Sequence, residues 1–160
     1  MNKVKHVLFV CLGNTARSPA AEYLARYYAK KLNVELNFNS CGFFNAFNYI
    51  QPESRMYLDS KGIEYSDFSP KIINQNLLEK QDLILTMEKT HSKEITNKFK
   101  CIKEIAKKTF TLREFNGETD NLDIIDPYYT SSTTYKKVLK IIDENVKKAV
   151  EKIIYLNNLT

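Results

Sequence analysis

Cysteine, histidine and arginine are scarce in this chain, and no long apolar run occurs. The cysteines, Cys11, Cys41 and Cys101, are an odd and widely spaced set, which excludes a disulfide framework. There is no CxxC pair, and the only histidines are His6 and His91, so a zinc site from these residues is not expected. A Cys-His protease is disfavoured, because His6 falls inside a strand-like run and His91 would have to fold back onto Cys11. No apolar segment approaches the roughly 18 residues of a membrane span. Val7–Leu12, interrupted by Gly13-Asn14, is too short for the apolar region of a signal peptide. The expectation is a cytoplasmic protein without membrane attachment.

What is present is ordinary in amount. The 160 residues suffice for one domain, residues 1–160, with one core. Hydrophobic residues make up 43% and charged residues 27%, the balance of a soluble globular chain. The net charge of +5 comes mostly from lysine, since Arg17, Arg26, Arg55 and Arg113 are the only arginines. Without a block of like charges or an aromatic stacking motif, this surplus reads as a solvated surface, with no nucleic-acid partner.

Val4–Val10 is short, continuous and rich in β-branched residues, a buried strand. A loop and a helix follow, with Pro19 in the helix's first turn and Ala21, Leu24, Ala25, Tyr28 and Leu32 as an apolar face. Val34, Leu36 and Phe38 alternate with polar residues, which predicts the second strand. An aromatic- and asparagine-rich loop is expected from Ser40 to Gln51. Pro52 opens a helix reaching about Lys61, with Gly62 as its stop. Asp82–Met87 and Thr109–Leu112 read as the remaining strands, and a lysine-rich helical stretch surrounds His91. Asn116–Ser132 is polar and turn-rich. A last helix spans Thr134–Leu156, with Val138, Ile142, Val146, Ala149, Val150 and Ile153 as its stripe. The alternation predicts an α/β fold with a parallel, doubly wound sheet.

The chemistry concentrates in VLFVCLGNTARSPAAE, from Val7. A strand ends at Cys11, a tight loop begins, and a helix opens near Pro19. Ligands of open α/β sheets sit at the carboxyl ends of strands. Gly13 permits a tight backbone path, so the N–H groups of Leu12, Gly13, Asn14, Thr15, Ala16 and Arg17 can converge on an anion, assisted by the helix N-terminus. The Arg17 fork can hold two phosphate oxygens. The same positive field favours a thiolate at Cys11, a nucleophile toward phosphorus. Ser18 can donate to that sulfur, and Asn14 can brace the loop. A leaving oxygen also needs a proton. Asp126, stiffened by Pro127 in DPYY, is the candidate donor, with Asp120 and Asp123 as rivals. Tyr128 and Tyr129 suit a slot for an aromatic ring. Phe43, Phe44, Phe47 and Tyr49 are candidates for the opposite wall.

With these motifs in hand, the chain resembles the low-molecular-weight protein tyrosine phosphatase family along nearly its whole length. VLFVCLGNTARSPAAE is similar to the family's N-terminal signature, DLILTMEKTH to its central strand and turn, and IIDPYY to its acid loop. The resemblance implies a four-stranded parallel twisted sheet flanked by helices. It implies Cys11 as nucleophile, Arg17 and the amides through Ser18 as phosphate binders, and Asp126 as general acid and then base. It also implies a supporting network of Asn14, Ser18 and Ser40, and a cysteinyl-phosphate intermediate. No metal or cofactor is implied, and the partners are phosphorylated proteins met by a monomer. Many relatives carry a second cysteine where this chain has Ala16, so peroxide should damage this protein less reversibly. A histidine of the family's network is replaced by Asp67, in YSDFSP.

Thr15 bears on substrate. Tyrosine-specific members usually carry a larger aliphatic residue there, and protein-arginine phosphatases of the family resemble this chain in having threonine. Tyr128, Tyr129, Phe47 and Tyr49 favour phosphotyrosine over phosphoarginine by stacking. Arsenate reductase chemistry needs two further, closely spaced cysteines, which Cys41 and Cys101 do not supply. A non-catalytic phosphate-binding module needs neither thiolate nor acid, and a flavodoxin-like flavin carrier would not need Cys11.

Overall fold

The structure, a computed structural model, describes residues 2–159. Strand β1 (His6–Val10) is followed by α1 (Arg17–Lys31), β2 (Asn37–Cys41), α2 (Pro52–Ser60) and α3 (Gln75–Glu79). Then come β3 (Leu83–Thr86), α4 (Lys89–Lys98), α5 (Ile105–Lys108), β4 (Thr109–Thr111), α6 (Leu112–Phe115) and α7 (Ser132–Asn158). The four strands form one parallel sheet in the order β2-β1-β3-β4. The chain leaves β1 toward one edge and returns through β3 on the other side. The crevice between the carboxyl ends of β1 and β3 is therefore the switch point, where such sheets bind ligands.

Side chains of β1 alternate between two buried layers. Val7 and Phe9 pack with α1 and the stripe of α7, including Leu24, Ile142, Val146 and Val150. Leu8 and Val10 face the other layer with Leu78, Ile95 and Ile105. Both faces being covered explains why β1 and β3 read as continuous apolar runs. The predicted stripe of α7 is wholly buried, and its N-cap Ser131 accepts from the Thr134 N–H at 3.1 Å.

Two expectations are corrected. The second strand is Asn37–Cys41 and not Val34–Phe38. Asn33 adopts a left-handed backbone, φ +57°, and the Val34 N–H donates to the Ala29 carbonyl at 2.9 Å. Val34 thus closes the end of α1, Leu32 is left exposed, and pairing with β1 starts later. Consequently Ser40 lies inside β2, not in a loop. Asp82 likewise lies before β3, where one carboxylate oxygen accepts the N–H groups of Lys5 and His6 at 2.8 and 2.9 Å. The short helices α3, α5 and α6 have too few turns to leave a periodic signal.

Candidate active site

The loop from Cys11 to Arg17 joins the end of β1 to the start of α1. Asn14 takes a left-handed conformation, φ +54°, which turns its N–H onto the Cys11 Sγ at 3.3 Å. The Ser18 hydroxyl lies 2.9 Å from the same sulfur. Proton directions follow from one anchor. The Lys71 N–H donates to Asn14 Oδ1 at 2.9 Å, so the Asn14 amide nitrogen faces Ser18 and Ser40, both at 2.9 Å. Ser40 then donates to Glu22 at 2.6 Å. Ser18, already accepting from Asn14, can turn its own proton to the sulfur at 2.9 Å or to the more distant Cys41 carbonyl at 3.4 Å. Burial pushes the Glu22 carboxyl up. Asp67 does not touch Ser40; it accepts from Tyr23 at 2.7 Å and Arg26 at 3.2 Å, and Arg26 also pairs with Glu22.

Gly42 fits under this loop because it has no side chain. A Cβ there would meet Asn14 N, Gly13 C and Leu12 O at 2.7–2.8 Å. The expected result for Gly42→Ala is a loss of about 1–3 kcal/mol of stability from forced overpacking. Activity should fall at least tenfold as the loop is pushed off the sulfur. Thermal melts and turnover of the purified variant check this.

Arg17 is 1% exposed, and a buried guanidinium must be paired. Its Nη1 donates to Glu88 Oε2 and to the Ile124 carbonyl, each at 2.6 Å. Its Nη2 lies 3.8 Å from Asp126 Oδ2, and its Nε is buried without a partner among the described residues. The Nε/Nη2 edge is the one left for an anion. Glu88, just beyond β3, escaped the sequence reading. The signal that finds it is position: a carboxylate at the strand end neighbouring Cys11.

A cavity of about 390 Å³ opens over the sulfur. Cys11, Leu12, Gly13, Thr15, Ala16 and Arg17 line its floor, Phe44, Phe47 and Tyr128 supply aromatic walls, and Asn45, Ala46, Gln51 and Asp126 complete it. Phe47 and Tyr128 meet edge-on, with ring centres 5.8 Å apart. Tyr49 stacks behind Phe47 at 5.4 Å, and Tyr129 is 92% exposed on the outer side of Tyr128; neither lines the cavity. Phe43 instead packs in the layer under Leu8 and against His91.

The acid loop is held from both sides. Ile124 N–H donates to the Met87 carbonyl at 2.8 Å, and Asp123 accepts the Lys89 N–H at 2.7 Å. Asp123 is therefore occupied at the start of α4, and Asp120 is exposed. Asp126 faces the cavity, one carboxylate oxygen accepting the Tyr128 N–H at 3.1 Å.

His91 packs behind Glu88, its Nε2 3.6 Å from Glu88 Oε2 and its Nδ1 buried without a partner among the described residues. Burial pulls its proton affinity below the usual range, and Arg17 acts in the same direction; Glu88, Glu94 and Asp123 oppose them. The unfolded chain takes up that proton near pH 6.5 and the folded chain only at lower pH. Stability is thus complete above about pH 6.5 and declines as the medium is acidified toward the folded value. His91→Asn should flatten this part of the profile, measured as melting temperature between pH 8 and pH 5. An unchanged slope refutes the assignment.

A thiol with the Asn14 N–H and the Ser18 hydroxyl beside it, next to an arginine with one open edge, at the switch point of a parallel sheet, is an arrangement suited to an oxyanion held over a sulfur. That combination marks a phosphoric monoester hydrolase. The family model described as low molecular weight phosphotyrosine protein phosphatase matches residues 6–155, and the chain belongs to this family. A protein-arginine-phosphatase of Bacillus subtilis is 30% identical over 92% of this chain and 95% of its own length. The low molecular weight protein-tyrosine-phosphatase Ptp of Acinetobacter johnsonii is 34% identical over 78% of this chain and 80% of its own. Among solved structures, a low molecular weight protein tyrosine phosphatase from T. tengcongensis superposes with a TM-score of 0.82 at 33% identity, covering 92% of this chain and 99% of that one. The YwlE arginine phosphatase, in a cysteine-to-serine variant with a phosphorylated active-site serine, superposes with a TM-score of 0.86 at 28% identity, covering 97% and 99%.

Proposed function

We propose that this protein hydrolyses phosphorylated protein side chains, phosphotyrosine foremost, through a cysteinyl-phosphate. Phosphate is held by the amides from Leu12 to Ser18 and by the open edge of Arg17. Cys11 Sγ attacks phosphorus, and the phosphorus–oxygen bond to the substrate breaks. Asp126 gives its proton to the leaving oxygen. Asp126 then takes a proton from water as that water attacks the thiophosphate, freeing inorganic phosphate and the thiolate. Ser18 steadies the sulfur in both steps, and Asn14 and Ser40 hold the loop. Phe47 and Tyr128 flank the substrate ring; Tyr49 backs Phe47, and Tyr129 stands at the rim where a protein would arrive. The enzyme works as a cytoplasmic monomer without a metal.

The observation carrying this reading is the sulfur with the Asn14 N–H and Ser18 hydroxyl directed at it, below a cavity that also admits Arg17 and Asp126. The phosphorylated serine named for the YwlE variant supports a covalent route. Phosphoarginine is the second reading, favoured by Thr15 in the cavity floor and by the arginine-phosphatase relative. Peptides carrying phosphotyrosine and phosphoarginine, assayed with a chelator, test the choice. Phosphotyrosine should give the higher kcat/KM. The reverse order selects the second reading, and no turnover of either rejects both.

A further inference from the structure

A second polar chain, separate from the one that serves the sulfur, ends in the cavity floor. Thr15, Gln51, Tyr135 and Ser54 are all buried. Gln51 Nε2 lies 3.3 Å from Thr15 Oγ1, the Tyr135 hydroxyl 2.8 Å from Gln51 Oε1, and Ser54 Oγ 2.9 Å from the Tyr135 oxygen. Ser54 Oγ also lies 3.2 Å from the Ala16 carbonyl, and the Gln51 N–H donates to the Thr15 carbonyl at 2.8 Å. The surroundings are apolar, with Ala16, Ala20 and Leu139 packed about Tyr135. Every polar group here must find its partner within the chain.

The protons can run in two directions. In the first, Ser54 donates to Tyr135, Tyr135 to the Gln51 carbonyl, and the Gln51 amide nitrogen to Thr15. Thr15 then has its proton free for the cavity. In the second, the Gln51 amide is turned over, which exchanges two atoms of almost equal shape. Thr15 then donates to Gln51, the amide nitrogen to Tyr135, Tyr135 to Ser54, and Ser54 to the Ala16 carbonyl. Thr15 now shows the cavity only lone pairs. Each direction leaves the four side chains paired.

We infer that Gln51 is a specificity-determining positioning residue: the setting of its amide makes Thr15 either a donor toward the bridging oxygen of a phosphate ester or an acceptor toward the bridging N–H of a phosphoramidate. One pocket thereby receives both linkages. The inference rests on the hydrolase reading above and concerns only the choice of substrate.

The test compares kcat/KM on phosphotyrosine and phosphoarginine peptides for the parent, Gln51→Glu, Gln51→Leu, Thr15→Val, and the two doubles with Thr15→Val. A carboxylate at position 51 only accepts, so Thr15 must donate to it and present lone pairs. Gln51→Glu should raise the phosphoarginine-to-phosphotyrosine ratio about tenfold, the scale of one hydrogen bond matched or mismatched. The new carboxylate repels the phosphate of both substrates but attracts the guanidinium of phosphoarginine alone, an effect that Gln51→Glu carries with or without Thr15 and that Gln51→Leu lacks. In the Thr15→Val background Gln51→Leu should leave the ratio unchanged, and Gln51→Glu should move it much less than when Thr15 is present. Gln51→Leu introduces no charge and reads the same coupling should the glutamate variant not fold. A ratio unmoved by Gln51→Glu, a shift as large with Thr15→Val as without it, or a parent confined to one linkage overturns this inference. A parent that hydrolyses neither peptide overturns the functional reading instead.

Discussion

Cys11→Ser should lose all measurable turnover yet still bind inorganic phosphate. The serine oxygen matches the sulfur in position, but a hydroxyl has almost no ionised form at neutral pH, and a serine that did become phosphorylated, as in the YwlE variant, would keep the group in an ester from which an alkoxide leaves poorly. The donors that hold the anion are untouched. Arg17 stays locked by Glu88 and Ile124, and the loop keeps the Asn14 brace to Ser18, Ser40 and Lys71. Rate and affinity therefore separate: the rate vanishes, and phosphate binding measured by calorimetry stays within a few-fold of the parent. A variant that turns over at the parent's rate removes Cys11 from the mechanism. One that loses phosphate binding as well shows that the sulfur shapes the cradle and does not only react in it.

Asp126→Ala should slow hydrolysis of substrates with poor leaving groups by roughly 10²–10⁴-fold, the usual worth of a positioned general acid. The loss should shrink as the leaving group becomes more acidic, because an oxygen that departs readily as an anion needs less help. Asp126 lines the cavity and lies 3.8 Å from the Arg17 fork, and Asp123 is committed to the Lys89 N–H. Asp123 therefore cannot substitute without releasing the start of α4. A series of aryl phosphates gives the readout. Equal losses across the series mean that Asp126 positions the substrate and does not protonate it.

How far the site could be read from the sequence depends on how local each part is. Cys11, Asn14, Arg17 and Ser18 fall within one strand-loop-helix turn, and spacing alone brings them together. Asp126 is far away in the chain, yet Pro127 and the polar loop mark it. Glu88 is harder, because its partner is Arg17, 71 residues distant, and nothing near it says that it faces a cavity. The Gln51–Tyr135 contact spans 84 residues and joins a loop end to the first turn of α7, ahead of the apolar stripe that the sequence marks. The displaced β2 is a different failure. Val34, Leu36 and Phe38 do alternate, but a left-handed Asn33 had already committed Val34 to the end of α1. A terminating turn overrode a genuine period-two pattern. Among the aromatics, composition could not separate Phe44 and Phe47 at the cavity from Phe43, which packs against the core, since three phenylalanines in one loop look alike whether they turn inward or, like Phe44, stand half exposed.

The double tether on the Arg17 Nη1 has an energetic corollary. A free arginine surrenders on the order of 2 kcal/mol of rotamer entropy when it clamps a ligand; this one has given that up during folding. A receptor frozen in advance grips any tetrahedral oxyanion of the right size, including the phosphate it has just liberated. Capture of substrate and retention of product then come from the same two contacts, and accumulated phosphate competes with substrate for the empty cradle.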